Sequence, residues 1–332
     1  MSLAAAPLPQ RVFQRLSDSD FLSGEALAAD LSVTRAAVWK AVEQLRELGI
    51  TLDASTHKGY RLAAGVSSLS AERIQALLPE SVRSHIEALL IEWTLESTNT
   101  RLLEALPPAA GTAAVVLAEQ QTGGRGRRGR SWLAQPGCAV CFSMAWQYPE
   151  MPADLSALSL VVGLCVVNTL QELGVETRLK WPNDLVTGNG KIGGILIEMR
   201  AEAGGPVHVV IGIGLNVFMD DAARAAVKAA GNIADDIRAH RDPPPDRNAI
   251  VAGMLKRLVP ALGDFPRHGL KPHLHHWGSC DALFDREVSV ENAGERTRGI
   301  ARGVDSHGAL LVETPQGVQR FISGEVTVRV AT

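Results

Sequence analysis

Along residues 9–62 the apolar positions first recur at helical spacing and then alternate. Arg11 to Leu16 reads as a short amphipathic helix, and Ser23 is a good N-cap for GEALAADL. Ser32 or Thr34 opens TRAAVWKAVEQLRELG, where Ala37, Val38, Val42, Leu45 and Leu48 share a face and Gly49 ends the helix. ITLDASTHKGYRL then has the look of a short β-hairpin with Lys58-Gly59 near its turn. Three helices and a hairpin make the pattern of a winged helix-turn-helix. Its third helix would present Arg35, Trp39 and Lys40 to a DNA groove, with Lys58 on the wing.

AAGVSSLS, Ala63 to Ser70, is small and polar and reads as a linker. Strand-like runs follow at Ile86–Trp93, Ala113–Ala118, Ala139–Trp146, Glu176–Trp181, Gly194–Met199 and Val207–Val217. Helices are expected near 98–106, 155–173 and 247–263, and DDIRAHRDPPPDRN (235–248) reads as an exposed loop. From about residue 278, REVSVENA, ERTRGIARGVD, GALLVET and VQRFISGEVTVRV predict a small β-barrel. The whole is an α+β chain in three parts, residues 1–64, 65–276 and 277–332.

At 332 residues the chain has room for two or three cores, and 46% hydrophobic with 21% charged residues is ordinary globular composition. A net charge of −3 implies no chain-wide affinity for polyanions, so any nucleic-acid surface must be local. Residues 9–62 carry seven basic and seven acidic side chains. That balance leaves a plain packing role open beside DNA binding. The four cysteines are too few for a disulfide framework. Cys138-x-x-Cys141 has no second pair, which favours buried thiols over zinc, and HLHH (273–276) reads as a solvated helix end. MSLAAAPLPQRVF lacks the pattern of a signal peptide. Leu155 to Gly174 is apolar but interrupted by polar residues, so a buried helix is expected rather than a membrane span, and a cytoplasmic protein.

The chemistry concentrates in four places. GGRGRRGRSW (123–132) puts four arginines among glycines, a flexible anion reader. ESTNT (96–100) sets three small hydrogen-bonding side chains at a strand-to-helix junction, where a helix N-terminus favours anions or simply needs a cap. KWPNDLVTGNGKIGGILIE (180–198) flanks a turn with Lys180 and Lys191. Asp184 is a candidate magnesium or polar ligand, and GNG is equally the turn of a hairpin. GIGLN (212–216) lacks the third glycine of a dinucleotide fingerprint, and no P-loop is present. Fixed cations of this kind suit attack by a substrate carboxylate on an α-phosphate, where two anions meet and charge builds. The product would be an acyl-adenylate sheltered by an ordering loop.

With GRGRRGR, KWPNDL, KIGGILIE and GIGLN in order, the chain resembles the biotin protein ligases, specifically the bifunctional class that also represses biotin synthesis genes. The resemblance covers essentially the whole chain. It implies a winged helix, a central ligase domain and an SH3-like C-terminal barrel. It further implies that biotin and MgATP form biotinyl-5′-AMP, and that biotin passes to a lysine of the biotin carboxyl carrier protein of acetyl-CoA carboxylase. On matched positions, Ser97, Thr98, Asn99 and Gln121 would hold biotin. Arg125, Gly126 and Arg127 would line the carboxylate and phosphate, and Lys191 would be the main catalytic cation. Gly194 and Gly214 would make room for biotin. Lys180, Trp181, Asn183, Asp184, Asn216 and Arg329 are ATP-side candidates, with no fixed metal site. The adenylate would promote a homodimer that binds operator DNA. A lipoate or octanoate ligase of the same fold, and a ligand-sensing regulator without turnover, are the alternatives. Residues 218–247 depart from the family pattern, which leaves open what closes over the adenine.

Overall fold

The computed structural model describes residues 6–17, 20–188, 190–201, 204–229, 233–292, 295–323 and 327–330. The extreme N-terminus, residues 1–5, Asn189 of the GNG turn, and Ala230 and Gly231 of the alanine-rich run lie outside them.

Helices α1 (Leu8–Ser17), α2 (Gly24–Leu31) and α3 (Arg35–Glu47) precede an antiparallel hairpin of β1 (Leu52–Ser55) and β2 (Gly59–Leu62). Ser23 caps α2, its hydroxyl accepting from Ala26 N at 3.0 Å. Ser32 takes the left-handed C-cap of α2, so Thr34 opens α3 by accepting from Ala37 N at 3.2 Å. Val38, Ala41, Val42 and Leu45 face Val12, Phe13 and Leu16 of α1. This core is not closed by its own residues. Cys138 is buried within it, Trp93 and Phe218 pack against it, and the Phe13 and Trp93 ring centroids lie 5.5 Å apart. Gly137, at φ 76°, has no room for a Cβ, which would stand 2.7 Å from Val66 and 2.9 Å from Phe13.

The linker is pinned by a buried ion pair. Arg247 is fully buried and bonds Glu119 Oε2 at 2.7 Å, Ala139 O at 2.7 Å and Ser67 O. Glu119 also accepts from Leu69 N at 2.7 Å and Gly137 N at 3.2 Å. Asn248 holds Ser68 O and Ser70 N. Short helices α4 (Ala71–Ala76) and α5 (Glu80–Arg83) lead into the central domain.

That domain is a seven-stranded sheet. Its strands are β3 (Ile86–Leu95), β4 (Ala113–Gln121), β5 (Ala139–Tyr148), β6 (Arg178–Lys180), β7 (Asp184–Val186), β8 (Lys191–Ala201) and β9 (Val207–Asn216). They lie in the order β3-β4-β5-β9-β8-β7-β6, parallel between β3 and β4 and antiparallel elsewhere. Helix α6 (Thr98–Leu103) ends short of the expected 106 because Pro107 and Pro108 follow. Helix α7 (Leu158–Glu172) is the expected buried helix. It is apolar enough for a membrane span but lies inside the core. Helix α8 (Asp221–Ala229) is followed by α9 (Arg247–His268), which runs past 263 because Leu262 and Phe265 are buried.

Helix α10 (Leu274–Cys280) crosses the expected boundary at 276, since Trp277 and Cys280 are buried in the central core. Five antiparallel strands follow in the order β13-β12-β11-β10-β14. They are β10 (Glu287–Asn292), β11 (Glu295–Val304), β12 (Leu310–Thr314), β13 (Gly317–Phe321) and β14 (Thr327–Val330). The run VQRFISGEVTVRV, expected as one strand, is therefore two. Their inner residues join the central core, and Trp181 Nε1 donates to Gly308 O at 3.0 Å to dock this sheet.

All four cysteines are buried free thiols. Burial pushes both Cys138 and Cys141 up to about 12. No cluster of metal-ligating side chains occurs among the described residues. His276 of HLHH bonds Asn168 at 2.5 Å on α7, so that histidine is packed rather than solvated.

Candidate active site

The two sides of the site are built by different elements, and a cleft of about 1850 Å³ joins them. At one end Ser97 caps α6, and Thr98 donates to Gln121 Oε1 from its backbone at 2.8 Å and from its hydroxyl at 3.1 Å. Ser143 Oγ bonds Thr98 Oγ1 at 2.7 Å and Asn99 Oδ1 at 2.5 Å. Asn99 Nδ2 donates to Glu198 Oε2 at 2.8 Å, and Arg125 reaches the same oxygen at 3.1 Å. Gly212 permits this: a Cβ there would stand 2.3 Å from Asn99 Oδ1. The result is a buried, polar, preorganised pocket floor.

The arginine loop is itself a small hairpin. Trp132 N donates to Gly124 O at 2.8 Å and Gly126 N to Arg130 O at 2.7 Å, with Arg128 left-handed at φ 59°. Arg127 donates to Asn183 Oδ1 at 3.1 Å and to Ser323 O at 2.8 Å, so it ties the loop to the KWPND turn and to the chain just beyond β13. Burial, aided by Arg128, lowers the Arg127 pKa, but a guanidinium stays charged.

The other cations converge from β6 and β8. Lys191 Nζ lies 2.5 Å from Asp184 Oδ1. Burial pulls the Lys180 pKa down against the pull of Asp184, and Lys191, Arg329 and Arg130 add to the lowering. The Asp184 carboxylate, a candidate magnesium or polar ligand, is paired with Lys191.

The other biotin- and ATP-side candidates also line the cleft, each with its own surroundings. Gly214 leaves space that the Trp132 indole fills, since a Cβ there would lie 2.5 Å from its Cε2. A Cβ at Gly194 would lie 3.2 Å from Lys191 Nζ, so this glycine frees the lysine. Trp181 is buried, lines the cleft and gives its N–H to Gly308 O at 3.0 Å. Asn216 gives its amide to Asp235 O at 3.2 Å. Arg329 is exposed on β14 at the cleft edge. Arg35, Trp39, Lys40 and Lys58 stand exposed on the N-terminal domain and take no part in the cleft; Trp39 is 59% exposed.

Three residues escaped the sequence reading: Ser143, Glu198 and Trp132. Two had a signal. A serine within CAVCFSMAW and a glutamate ending KIGGILIE are polar residues in apolar strands, and such residues need buried partners.

Chemically, the cleft gathers Arg125, Arg127, Lys180 and Lys191 near a neutral polar pocket. It can hold a small polar ring at one end and neutralise two meeting anions at the other. Residues 90–216 match the Biotin/lipoate A/B protein ligase family, residues 10–61 an HTH domain, and residues 283–329 the Biotin protein ligase C terminal domain. Fold and site thus define a biotin/lipoate-type protein ligase fused to a helix-turn-helix domain. The chain is 33% identical over 325 residues to the bifunctional ligase/repressor BirA of Salmonella typhimurium, covering 98% of each chain. Identity to BirA of Bacillus subtilis is 31% over 316 residues, 93% of this chain and 94% of that one. The biotin protein ligase from Aquifex aeolicus in complex with biotin and ATP matches with a TM-score of 0.61 and 27% identity, over 74% of this chain and 99% of that one. The chain belongs to the BirA family of bifunctional biotin ligase/repressors.

Proposed function

We propose that the protein is an ATP-dependent biotin protein ligase that also represses transcription. The observation that carries the ligase reading is the convergence of Arg125, Arg127, Lys180 and Lys191 on one cleft with the Thr98–Asn99–Gln121–Ser143 pocket at its end. Biotin's ring sits in that pocket. Its carboxylate oxygen attacks the α-phosphorus of MgATP; the O–P bond forms, the Pα–O–Pβ bond breaks, and pyrophosphate leaves. Lys191 neutralises the carboxylate and the phosphoryl oxygens as they meet, and Arg125 and Arg127 hold the resulting anhydride. A lysine amine of the acceptor then attacks the acyl carbon. An amide forms, AMP leaves and the amine gives up a proton. The acceptor is the biotin carboxyl carrier protein of acetyl-CoA carboxylase, in the cytoplasm. A relative from Mycobacterium tuberculosis, named biotin–[acetyl-CoA-carboxylase] ligase, is 33% identical over 228 residues.

Biotinyl-5′-AMP acts as corepressor by promoting a homodimer that binds operator DNA through Arg35, Trp39, Lys40 and Lys58. Beyond Gly194, β7 no longer pairs with β8, so the outer edge of β8 toward Ala201 has no strand partner among the described residues. Such an edge suits pairing with a second copy.

Biotin-dependent exchange of labelled pyrophosphate into ATP, with lipoate in parallel, tests this reading. Exchange with biotin alone is expected. Exchange with lipoate alone would replace the acid, and none with either would favour a regulator without turnover.

A further inference from the structure

Asp235 and Asp236 are almost wholly buried, at 3% and 0% exposed, and no step above uses them. They lie in a strap, residues 233–238, that crosses the ends of β8 and β9. Lys191 N donates to Ile233 O at 3.1 Å and Asp235 N donates to Lys191 O at 2.9 Å. Further on, Ile237 N donates to Asn216 O and Arg238 N to Val217 O, each at 3.0 Å. The strap therefore grips the backbone of Lys191 on both its polar groups and ties it to the end of GIGLN.

The two carboxylates face opposite ways. Asp236 accepts from Met219 N at 2.7 Å, from Ala239 N at 2.8 Å and from Arg224 of α8 at 2.5 Å. Asp235 Oδ2 receives the Thr187 hydroxyl and His240 Nε2, while its Oδ1 accepts from Asp236 N at 2.9 Å. Thr187 stands just beyond β7, on the turn that leads to Lys191, and His240 lines the cleft. Burial works against ionising Asp235, but its bonds to Thr187, His240 and the Asp236 N–H outweigh it and hold the carboxyl below its usual range. Every bond this carboxylate receives comes from a segment that borders the site.

We infer that Asp235 is a positioning residue for adenylation: its side chain clamps the strap onto the Lys191 backbone, setting Nζ against the reacting carboxylate and α-phosphate and holding His240 on the ATP side. This rests on Lys191 being the catalytic cation. Loss of the clamp would let the lysine wander, and about 1 Å of misplacement costs about 100-fold in rate.

The test uses the full chain with Asp235→Ala, Asp235→Asn and Thr187→Val in biotin-dependent pyrophosphate exchange, with thermal unfolding alongside. Asp235→Ala is expected to lower kcat by about 30- to 100-fold and to raise KM for ATP. KM for biotin should stay within about twofold, because the pocket at Thr98 and Gln121 is built on α6 and β4, away from the strap. Asp235→Asn is expected to recover most of kcat. Its oxygen keeps the Asp236 N–H, and its amide can donate to neutral His240 Nε2 and to Thr187 Oγ1. Thr187→Val should fall between. If Asp235→Ala does not fold, the Asn and Val variants decide the matter by the same ordering. The inference is overturned if kcat is untouched, if Asn is as poor as Ala, or if both KM values worsen together in step with lost stability. A wild-type chain silent toward biotin would sink the ligase reading, and this one with it. Wild-type exchange beside an unaffected variant would sink only the clamp.

Discussion

Replacing Arg127 with glycine should make the enzyme leak its intermediate. The side chain bonds Asn183 Oδ1 at 3.1 Å and Ser323 O at 2.8 Å, so it fastens the arginine loop to two separate parts of the molecule. A hydrogen bond from a charged donor contributes about 1.5–3 kcal/mol. The side chain is only partly buried, and water replaces part of what is lost, so about half of the two-bond sum applies. About 1.5–3 kcal/mol shifts the closed-to-open ratio of the loop by about 10- to 150-fold. Release of bound adenylate should accelerate by that factor. Formation depends on Lys191 and Arg125 as well, and should slow by less. The assay is a single turnover with labelled biotin and ATP, followed by separation of free from bound biotinyl-5′-AMP over time. If the variant formed adenylate slowly but released it no faster than wild type, the loop would not be held by these bonds and the reasoning would fail.

Four further outcomes are expected. Arg247→Met should destabilise the fold by about 3–5 kcal/mol, because Glu119 would stay buried without its partner; combining it with Glu119→Gln should recover much of that in denaturant unfolding. His208 is buried, neither ring nitrogen has a hydrogen-bond partner among the described residues, and burial together with Arg200 holds its pKa below the usual range. The unfolded histidine takes up a proton below about pH 6.5 while the native one resists, so stability is full above that pH and falls as the medium acidifies. His208→Phe should flatten that acid limb when unfolding is followed from pH 7.5 to 5. Gly214→Ala should raise KM for biotin by displacing the Trp132 indole, which a new Cβ would meet at 2.5 Å; an unchanged KM would mean the indole is irrelevant to binding. Trp39→Ala with Lys40→Ala should abolish operator binding in a gel-shift assay and leave pyrophosphate exchange intact, since both residues are exposed and neither lines the cleft.

Periodicity locates most elements because inner strands such as β4, β5 and β9 carry apolar runs and several helices open on capping side chains. Ser23 and Gly49 mark real helix ends, and four strand runs of the central sheet extend at their edges, while Glu176–Trp181 shortens to Arg178–Lys180, Val207–Val217 loses its last residue and β7 lies outside the expected runs. Ends governed by tertiary contact were harder to read. Helix α9 continues past Gly263 because Leu262 and Phe265 have a core to enter, and α10 crosses a boundary for the same reason at Trp277. In the site, glycine-arginine and lysine motifs advertised their charge. Partnerships did not. That Asp184 belongs to Lys191, Glu198 to Arg125, and the Trp181 N–H to Gly308 depends on strand register and domain docking. Residues 235–238 of the strap fall within the 235–248 stretch that reads as an exposed loop, because prolines and charges follow them closely. Its two aspartates are buried by hydrogen bonds that no local pattern encodes.

The N-terminal core is completed by residues that belong to the ligase: Cys138 inside it, Trp93 and Phe218 against it, and Gly137 pressed on Phe13. The unit of exchange between such proteins is therefore not residues 1–64. A chimera that swaps only the helix-turn-helix segment would leave one half with a thinned core. The other half would carry an apolar scar at Trp93 and Phe218, prone to self-association. A working transplant has to carry these few ligase positions along with the segment, and a stand-alone ligase needs them made polar.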